Sequence, residues 1–159
     1  VLNHGTYDRV TAQEMELDHL RHTMKANFEG AVNVWKVVQP HLAPQANMVV
    51  VSSQLATRGS PHGADYAASK AALSTWARSL ALAVGPEGKR VNVLAPGYVD
   101  TDILAGDSDE KRNQRIQEVP LKRIGTGDDM ASIVSFLLSD DAAYITGSVL
   151  HANGGLYLP

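Results

Sequence analysis

The chain has 159 residues, 44% of them hydrophobic and 19% charged, as expected for a single soluble domain with a buried core. Its net charge of −3, without a basic cluster, argues against a nucleic-acid partner, and no apolar run approaches the ~20 residues needed to span a bilayer. The absence of cysteine excludes disulfides and thiolate metal sites, so we expect a cytoplasmic protein with no metal site.

The first predicted elements are the end of a strand and a long helix. Val1–Gly5 has the pattern of a buried strand that runs into a turn. Thr11 followed by Glu14 has the spacing of a capping box, which predicts a helix start near Thr11. From His19 to Val38, apolar residues recur at spacings of three and four. This spacing predicts a long amphipathic helix, which the prolines after it end.

The middle of the chain is predicted to form two strands separated by a helix. Asn47–Ser53 is rich in valine without polar alternation, which indicates a parallel strand covered on both faces, with Ser53 at its carboxyl end. Residues 54–63 contain glycine and proline and predict a loop. Ala64–Val84 is rich in alanine and leucine and predicts a second long helix, and Arg90–Ala95 predicts the next strand.

The last part of the chain completes an alternation of strands and helices. Asp100–Glu118 is too charged to be core and is predicted to be a loop or lid. A helix from Asp128 through Leu138 and a last strand over Val149–Ala152 follow. This order predicts an α/β fold with a parallel sheet in one domain that spans the whole chain.

A candidate site lies where the predicted parallel strands end, because ligands bind at the carboxyl ends of such strands. Tyr66 and Lys70 are four residues apart in the helix after Ser53, so they share one face. Alone, this pair is weak evidence, because an exposed tyrosine packed on a lysine stem is common. The combination with Ser53 at a strand end favours a functional site.

Four segments together resemble the motifs of short-chain dehydrogenases/reductases, in the order of that family, over nearly the whole chain. They are Asn27–Gly30, Val49–Leu73 with its Ser53, Tyr66 and Lys70, Pro96–Thr101, and Tyr144–Gly147. The resemblance implies a partial Rossmann-like, doubly wound parallel sheet. It also implies an NAD(P)-dependent oxidoreductase that interconverts a secondary alcohol and a carbonyl compound.

The resemblance also implies a set of site residues. Four residues match the catalytic tetrad of the family: Asn27, Ser53, Tyr66 and Lys70. Together with Tyr66 and Lys70, six more match positions that bind NAD or NADP: Asn3, Gly5, Pro96, Gly97, Val99 and Thr101.

Physical chemistry agrees with the implied catalytic roles. A phenol is a usable acid and base near neutral pH if a nearby ammonium favours the phenolate, as Lys70 would for Tyr66. The hydroxyl of Ser53 would hold the substrate oxygen and stabilise its developing charge. The resemblance further implies that Asn27 lies at a helix irregularity whose carbonyl holds a water, which connects Lys70 to solvent.

The sequence departs from the family pattern at several places. It lacks the glycine-rich phosphate turn and the residue that selects NAD or NADP. We therefore expect the C-terminal, catalytic portion of a longer protein, which alone binds cofactor poorly. Leu2 and His4 replace an asparagine and an alanine of the family's first turn, and Gly127 and Asn153 replace a common proline and aspartate.

Two other functions stay open at this stage. A truncated, non-catalytic chain could act as an oligomerisation or interaction module through its two long helices. An isomerase or dehydratase could use the same tyrosine and lysine, although the turn at Pro96–Thr101 favours a dehydrogenase.

Apolar residues beyond those needed to cover the sheet lead to predictions about assembly and about substrate selection. Those on the long helices, such as Trp35 and Trp76, and the family resemblance predict a homodimer or homotetramer. Asp100–Pro120 is predicted to be a mobile lid that selects a small alcohol or carbonyl substrate. Its apolar inner face would comprise Tyr98, Ile103, Leu104, Ile116 and Val119.

Overall fold

A computed structural model, which describes all 159 residues, contains a parallel sheet of three strands in the order β1-β2-β3. These strands are β1 (Asn47–Val51), β2 (Arg90–Pro96) and β3 (Val149–Ala152). Asn47 pairs with Arg90 at the start of β1, and Pro96 pairs with Ala152 at the end of β3. The parallel α/β sheet predicted from the sequence is therefore confirmed.

The predicted first strand is present as a single parallel bridge on the free edge of β1. Leu2 pairs with Val50, and its amide donates to the Val49 carbonyl at 2.9 Å. The Val51 amide donates back to the Leu2 carbonyl at 2.8 Å. This bridge fixes the N-terminal segment beside the carboxyl end of β1.

Two apolar clusters cover opposite faces of the sheet, because successive strand residues point in opposite directions. Val50 and Val93 belong to the larger cluster, together with residues of the two long helical segments. Val49 and Leu94 belong to the second cluster, together with Leu137. The sheet is therefore covered on both faces, which explains why its strands lack polar alternation.

Six α-helices surround the sheet. They are α1 (Leu17–Met24), α2 (Gly30–Val38), α3 (Leu55–Arg58), α4 (Ala64–Val84), α5 (Asp109–Glu118) and α6 (Gly127–Leu138). The predicted bounds of α4 are confirmed. The α6 helix begins one residue before the predicted start, where Thr126 and Asp129 form a capping box.

The predicted helix start near Thr11 is wrong, because α1 begins at Leu17. Thr11 and Glu14 do form the contacts of a cap, with the Thr11 hydroxyl 2.6 Å from the Glu14 carboxylate. However, the backbone of Thr11 forms an antiparallel bridge with His62. This bridge holds the segment extended, and the capped turn does not continue into a helix.

A π-helical turn at Lys25–Glu29 interrupts the long first helix between α1 and α2. The helix irregularity at Asn27 that the family resemblance implied is therefore present. Two buried residues flank it: Thr23 at its N-terminal side and Ala31 at its C-terminal side.

Two segments predicted as loops are partly helical. Residues 54–63 contain α3. Residues 100–118 contain a 3₁₀ turn at Asp102–Leu104 and then α5, so the prediction of a loop is wrong there. The Ser108 hydroxyl caps α5 by accepting from the Lys111 amide at 3.3 Å.

The sequence predicts that the two tryptophans are surplus apolar residues available for subunit contacts, and this prediction is wrong. Trp35 is buried in the larger apolar cluster, and Trp76 packs against that cluster and against the ring of Phe28. Exposed apolar side chains are present elsewhere on the long helices, at Val37 and Leu82. None of the helices combines the length and the apolar character needed to cross a membrane.

Candidate active site

A cleft of about 1060 Å³ lies at the carboxyl ends of β1 and β2. The N-terminal segment, the residues after β1, the start of α4 and the turn after β2 form much of its wall, and the segment of residues 101–118 and α6 form the rest. Nine of the ten predicted site residues line it: Asn3, Gly5, Ser53, Tyr66, Lys70, Pro96, Gly97, Val99 and Thr101. Asn27 lies behind the wall, fully buried.

Ser53 and Tyr66 are the two hydroxyl-bearing residues of the predicted tetrad, and both are buried. Ser53 follows β1, and its Oγ accepts a hydrogen bond from the Leu55 amide at 3.2 Å. Burial raises the pKa of the Tyr66 phenol, the Ser53 hydroxyl lowers it, and the nearby Tyr7 raises it further. The net effect is a raised pKa, so Tyr66 carries its proton at neutral pH.

Lys70 lies one helical turn after Tyr66 and is also buried. Its Nζ donates to the Val51 carbonyl at 3.0 Å and to the His4 carbonyl at 3.3 Å. Burial lowers the pKa of Lys70 to about 8. Nζ lies 5.8 Å from the centre of the Tyr66 ring, and burial is the largest influence on the pKa of that phenol.

The Asn27 side chain uses both of its polar atoms to position the N-terminal segment. Its Oδ1 accepts from the Thr6 amide at 2.7 Å, and its Nδ2 donates to the Thr6 carbonyl at 3.0 Å. Nδ2 also donates to the Ser69 hydroxyl at 2.9 Å, which connects the π-helical turn to α4. Asn27 therefore fixes the wall of the cleft rather than lining it.

Gly5 leaves the space that Asn27 and Lys70 require. A Cβ at this position would lie 3.1 Å from the Asn27 Oδ1 and 3.1 Å from the Lys70 Nζ. These distances are shorter than ordinary van der Waals contacts. A side chain at Gly5 would therefore displace the two polar groups that hold this wall.

Three serine hydroxyls that the sequence analysis missed hold α4 against β1 and the π-helical turn. The Ser52 Oγ donates to the Lys70 carbonyl at 2.9 Å and lies 2.7 Å from the Ser74 Oγ. The Ser69 Oγ, which accepts from Asn27, donates to the Tyr66 carbonyl at 2.8 Å. Ser69 and Ser74 lie on the same buried face of α4 as Lys70, and small polar residues on such a face could have indicated a hydrogen-bonded contact.

Tyr7 is a second residue that the sequence analysis missed. Its ring lies against that of Tyr66, with the two centres 4.7 Å apart, and its hydroxyl donates to the His62 carbonyl at 2.6 Å. A Cβ at Gly63 would clash with the Tyr7 ring, and the φ of +143° at this position also favours glycine. Tyr7 therefore forms an aromatic wall between Tyr66 and the loop before α4.

The predicted lid is folded against the cleft through a buried carboxylate. The side chain of Asp107 is 1% exposed and contacts three cations: Arg9 at 3.0 Å, Arg115 at 2.5 Å and Lys111 at 3.7 Å. Hydrogen bonds from Arg115 and Arg9 hold the pKa of Asp107 below its usual range despite desolvation. The expectation that this segment is too polar to pack is therefore wrong.

The predicted apolar inner face of the lid is correct for three of its five residues. Tyr98, Ile103 and Leu104 line the cleft. Val119 is instead buried against Gly154, and Ile116 does not line the cleft.

The polar side chains do not form a metal centre. No group of three or more histidine, aspartate or glutamate residues has the arrangement of a metal site.

Comparison with known proteins gives a consistent set of relatives. The family model described as "Enoyl-(Acyl carrier protein) reductase" matches residues 1–157. The chain is 36% identical to the 3-oxoacyl-(acyl-carrier-protein) reductase FabG of Salmonella typhimurium over 146 residues, which are 91% of this chain and 60% of that protein. It is 43% identical to the FabG of Escherichia coli over 111 residues, which are 70% of this chain and 46% of that protein.

Solved structures give the same result. The crystal structure of a short-chain dehydrogenase/reductase, a glucose/ribitol dehydrogenase from Brucella melitensis, matches with a TM-score of 0.92 at 30% identity. The match covers 98% of this chain and 63% of that one. The chain thus spans about three fifths of the length of the Salmonella typhimurium reductase and of the Brucella melitensis dehydrogenase.

Proposed function

The chain belongs to the short-chain dehydrogenase/reductase family, and we propose that the complete protein is an NAD(P)-dependent oxidoreductase that interconverts a secondary alcohol and a carbonyl compound. The observation that carries this proposal is that Ser53, Tyr66 and Lys70 line one cleft at the carboxyl ends of parallel strands. Ligands of open parallel sheets bind at such strand ends.

Tyr66 would act as the general acid in the reduction direction. Its raised pKa keeps the phenol protonated until the substrate oxygen becomes basic enough to take the proton. The Ser53 hydroxyl would donate a hydrogen bond to the same oxygen and stabilise its developing negative charge. In the oxidation direction, the Tyr66 phenolate would accept the proton of the alcohol.

The residues around Lys70 fit a nicotinamide cofactor. Two carbonyls occupy two of the three N–H groups of the Lys70 ammonium, which leaves one donor for the cofactor's ribose hydroxyls. Gly5 lines the cleft, and its missing side chain leaves room for the Lys70 ammonium to keep this position. A bound reduced nicotinamide would supply the hydride. The other residues proposed to hold it are Asn3, Pro96, Gly97, Val99 and Thr101.

The tetrad is completed by Asn27, which we propose acts through position rather than contact with substrate. Its side chain ties the N-terminal segment to the π-helical turn and to α4. A water on its backbone carbonyl would let the Lys70 ammonium exchange protons with solvent.

The substrate class is suggested by the relatives. Those of Salmonella typhimurium and Escherichia coli are named 3-oxoacyl-(acyl-carrier-protein) reductases. A 3-oxoacyl thioester is therefore the first carbonyl compound to test. We further propose a cytoplasmic homodimer or homotetramer.

The test is a Tyr66→Phe substitution in the complete protein, with Tyr144→Phe as the matched control. Tyr144 is fully exposed, so loss of its hydroxyl should leave turnover unchanged. Tyr66→Phe should lose nearly all turnover and keep cofactor binding, because only the acid-base hydroxyl is removed. Retained turnover in Tyr66→Phe would refute the assignment.

A further inference from the structure

The charge of the cleft differs in sign from that of the chain. Five cationic side chains line the cleft, and one acidic side chain does. The chain as a whole has a net charge of −3. A concave site lined by one sign of charge concentrates the field and attracts ligands of the opposite sign. The five cationic residues are Arg9, Arg58, Lys70, Lys111 and Arg115, and the acidic residue is Glu118.

Three of these cations share one carboxylate, which they more than neutralise. Arg9, Lys111 and Arg115 surround the buried Asp107. The cluster therefore keeps an excess of positive charge at the edge of the cleft. Glu118, whose carboxylate accepts from the Tyr98 hydroxyl at 2.9 Å, offsets one of these charges, and the cations still outnumber Glu118 and Asp107 together.

Arg58 differs from the other cations, because its guanidinium makes no ion pair and no side-chain hydrogen bond. It is the last residue of α3, an exposed position that lines the cleft. The same segment begins with Ser53, whose hydroxyl would hold the substrate oxygen. Both residues line the same cleft, so a substrate whose carbonyl oxygen lies at Ser53 would have Arg58 in the same site.

We propose that the carbonyl substrate of this cleft carries an anionic group, a carboxylate or a phosphate, and that Arg58 binds this group. The proposal rests on the proposed function, since it names the substrate class of the same site. A guanidinium suits either anion, because its planar N–H groups match their oxygens in pairs. Arg9 and Lys111 would add long-range attraction without direct contact.

The alternative target of Arg58 is a phosphate of the cofactor. The proposed cofactor residues lie on other segments, Asn3–Gly5 and Pro96–Thr101, and the proposal assigns Arg58 to the substrate instead. Arg58 should therefore change the affinity for substrate and leave the affinity for cofactor unchanged.

The test compares three carbonyl compounds with the complete protein and its cofactor: acetoacetate, acetoacetyl coenzyme A and the neutral thioester of acetoacetate with N-acetylcysteamine. Arg58→Gln should lower kcat/KM by roughly 10- to 100-fold for at least one anionic compound, as expected for loss of a charge-assisted hydrogen bond. The neutral thioester should be unaffected. Loss with acetoacetate identifies a carboxylate as the bound group, and loss with the coenzyme A thioester identifies a phosphate.

The matched control is Arg21→Gln, which removes a guanidinium that is 73% exposed, outside the cleft. This substitution should leave kcat/KM unchanged for all three carbonyl compounds. Equal kcat/KM for Arg58→Gln and the unaltered protein on both anionic compounds would overturn the proposal, as would an equal loss on the neutral thioester or a weakened cofactor KM.

A binding measurement separates this proposal from the proposed function. Calorimetric titration of the complete protein with acetoacetate and coenzyme A needs no turnover. If no carbonyl compound is reduced, the proposed function fails. Binding of either anion that Arg58→Gln weakens would still support the anion site, and equal binding by both proteins would overturn it.

Discussion

The rings of Tyr7 and Tyr66 lie with their centres 4.7 Å apart and their planes inclined at 44°. The Tyr7 hydroxyl donates to the His62 carbonyl, so the ring is held by this hydrogen bond as well as by its own backbone. Tyr7 thus restricts the orientation of the proposed catalytic phenol and limits access to one side of it.

Substitution of Tyr7 tests this packing. We expect Tyr7→Ala to lower kcat, because the Tyr66 ring loses its support, and to shift the alkaline limb of the pH profile toward lower pH. The pKa of Tyr66 is raised by burial and by Tyr7, so better solvation and loss of the neighbour both lower it. Tyr7→Phe keeps the ring and should retain most of kcat. A pH profile unchanged in Tyr7→Ala would contradict this account.

The lowered pKa of Lys70 predicts how cofactor affinity changes with pH. Burial lowers this pKa to about 8, so the ammonium loses its proton as pH rises through that value. We expect affinity for the anionic cofactor to fall between about pH 7 and pH 9. Fluorescence titration of the complete protein measures it. In Lys70→Ala, affinity should be low throughout and lack this dependence, and an identical dependence in that variant would assign it to another group.

The same lowered pKa of Lys70 predicts that the free energy of unfolding rises with pH, whereas the affinity for the cofactor falls. Between pH 8 and about 10.5, the unfolded chain holds a proton on Lys70 that the folded chain does not. The free energy of unfolding should therefore rise with pH across this interval, relative to Lys70→Met. Urea unfolding at both ends of the interval tests the prediction, which a constant difference between the two proteins would refute.

The buried Asp107 predicts how firmly residues 100–118 are attached. Asp107→Asn keeps the shape but removes the charge, so three cations lose their shared partner. We expect a loss of about 1–3 kcal/mol in the free energy of unfolding. Hydrogen exchange should also become faster in α5. The control is Asp18→Asn, whose carboxylate pairs on the exposed surface with Arg21 and should contribute little.

Substitution of Ile103 should affect substrate selection, whereas substitution of its neighbour Leu104 should affect stability. Ile103 lines the cleft with 47% of its surface exposed, whereas Leu104 lines it and is 6% exposed. Ile103→Ala should alter the ranking of carbonyl substrates of different size with little change in stability. Leu104→Ala should lower the free energy of unfolding by about 2–5 kcal/mol. An unchanged ranking in Ile103→Ala would show that this turn does not select substrate.

The outward faces of the long helices predict self-association. Val37 and Leu82 are 70% and 81% exposed on α2 and α4. Replacing both by aspartate should dissociate the proposed homo-oligomer of the complete protein, because a charge at each position must be desolvated on assembly. Sedimentation velocity at micromolar concentration measures this, and a monomeric unaltered protein would contradict the proposal.

Much of the fold could be predicted from the sequence because its elements carry strong local signals. The valine-rich β1 and the alanine-rich α4 are specified by residues within each element. By contrast, the extended backbone at Thr11 depends on pairing with His62, which is distant in sequence. Local capping residues alone could not reveal that pairing.

The same distinction applies to the site. The residues proposed as a catalytic tetrad could be selected from the sequence because their types and spacing follow a family pattern, and three of them line one cleft. The contacts of Tyr7 with Tyr66, and of Arg9 with Asp107, join residues far apart in the chain. Asp107 was predicted to lie in solvent because the surrounding segment is charged, and burial of its carboxylate depends on cations that come partly from the other end of the chain.

The π-helical turn at Lys25–Glu29 fixes the rotational phase between the two halves of the first long helix. A π-helical turn accommodates one residue more than an α-helical turn, and each residue turns an α-helix by about 100°. Both halves depend on this phase, since Thr23 donates to the buried Asp65 at 2.6 Å and Trp35 packs in the larger apolar cluster. If the same residues formed a regular α-helix instead, the second half would rotate by about 100° relative to the first and one of these two side chains would leave its contact, so the irregularity is as necessary for packing as it is for the position of Asn27.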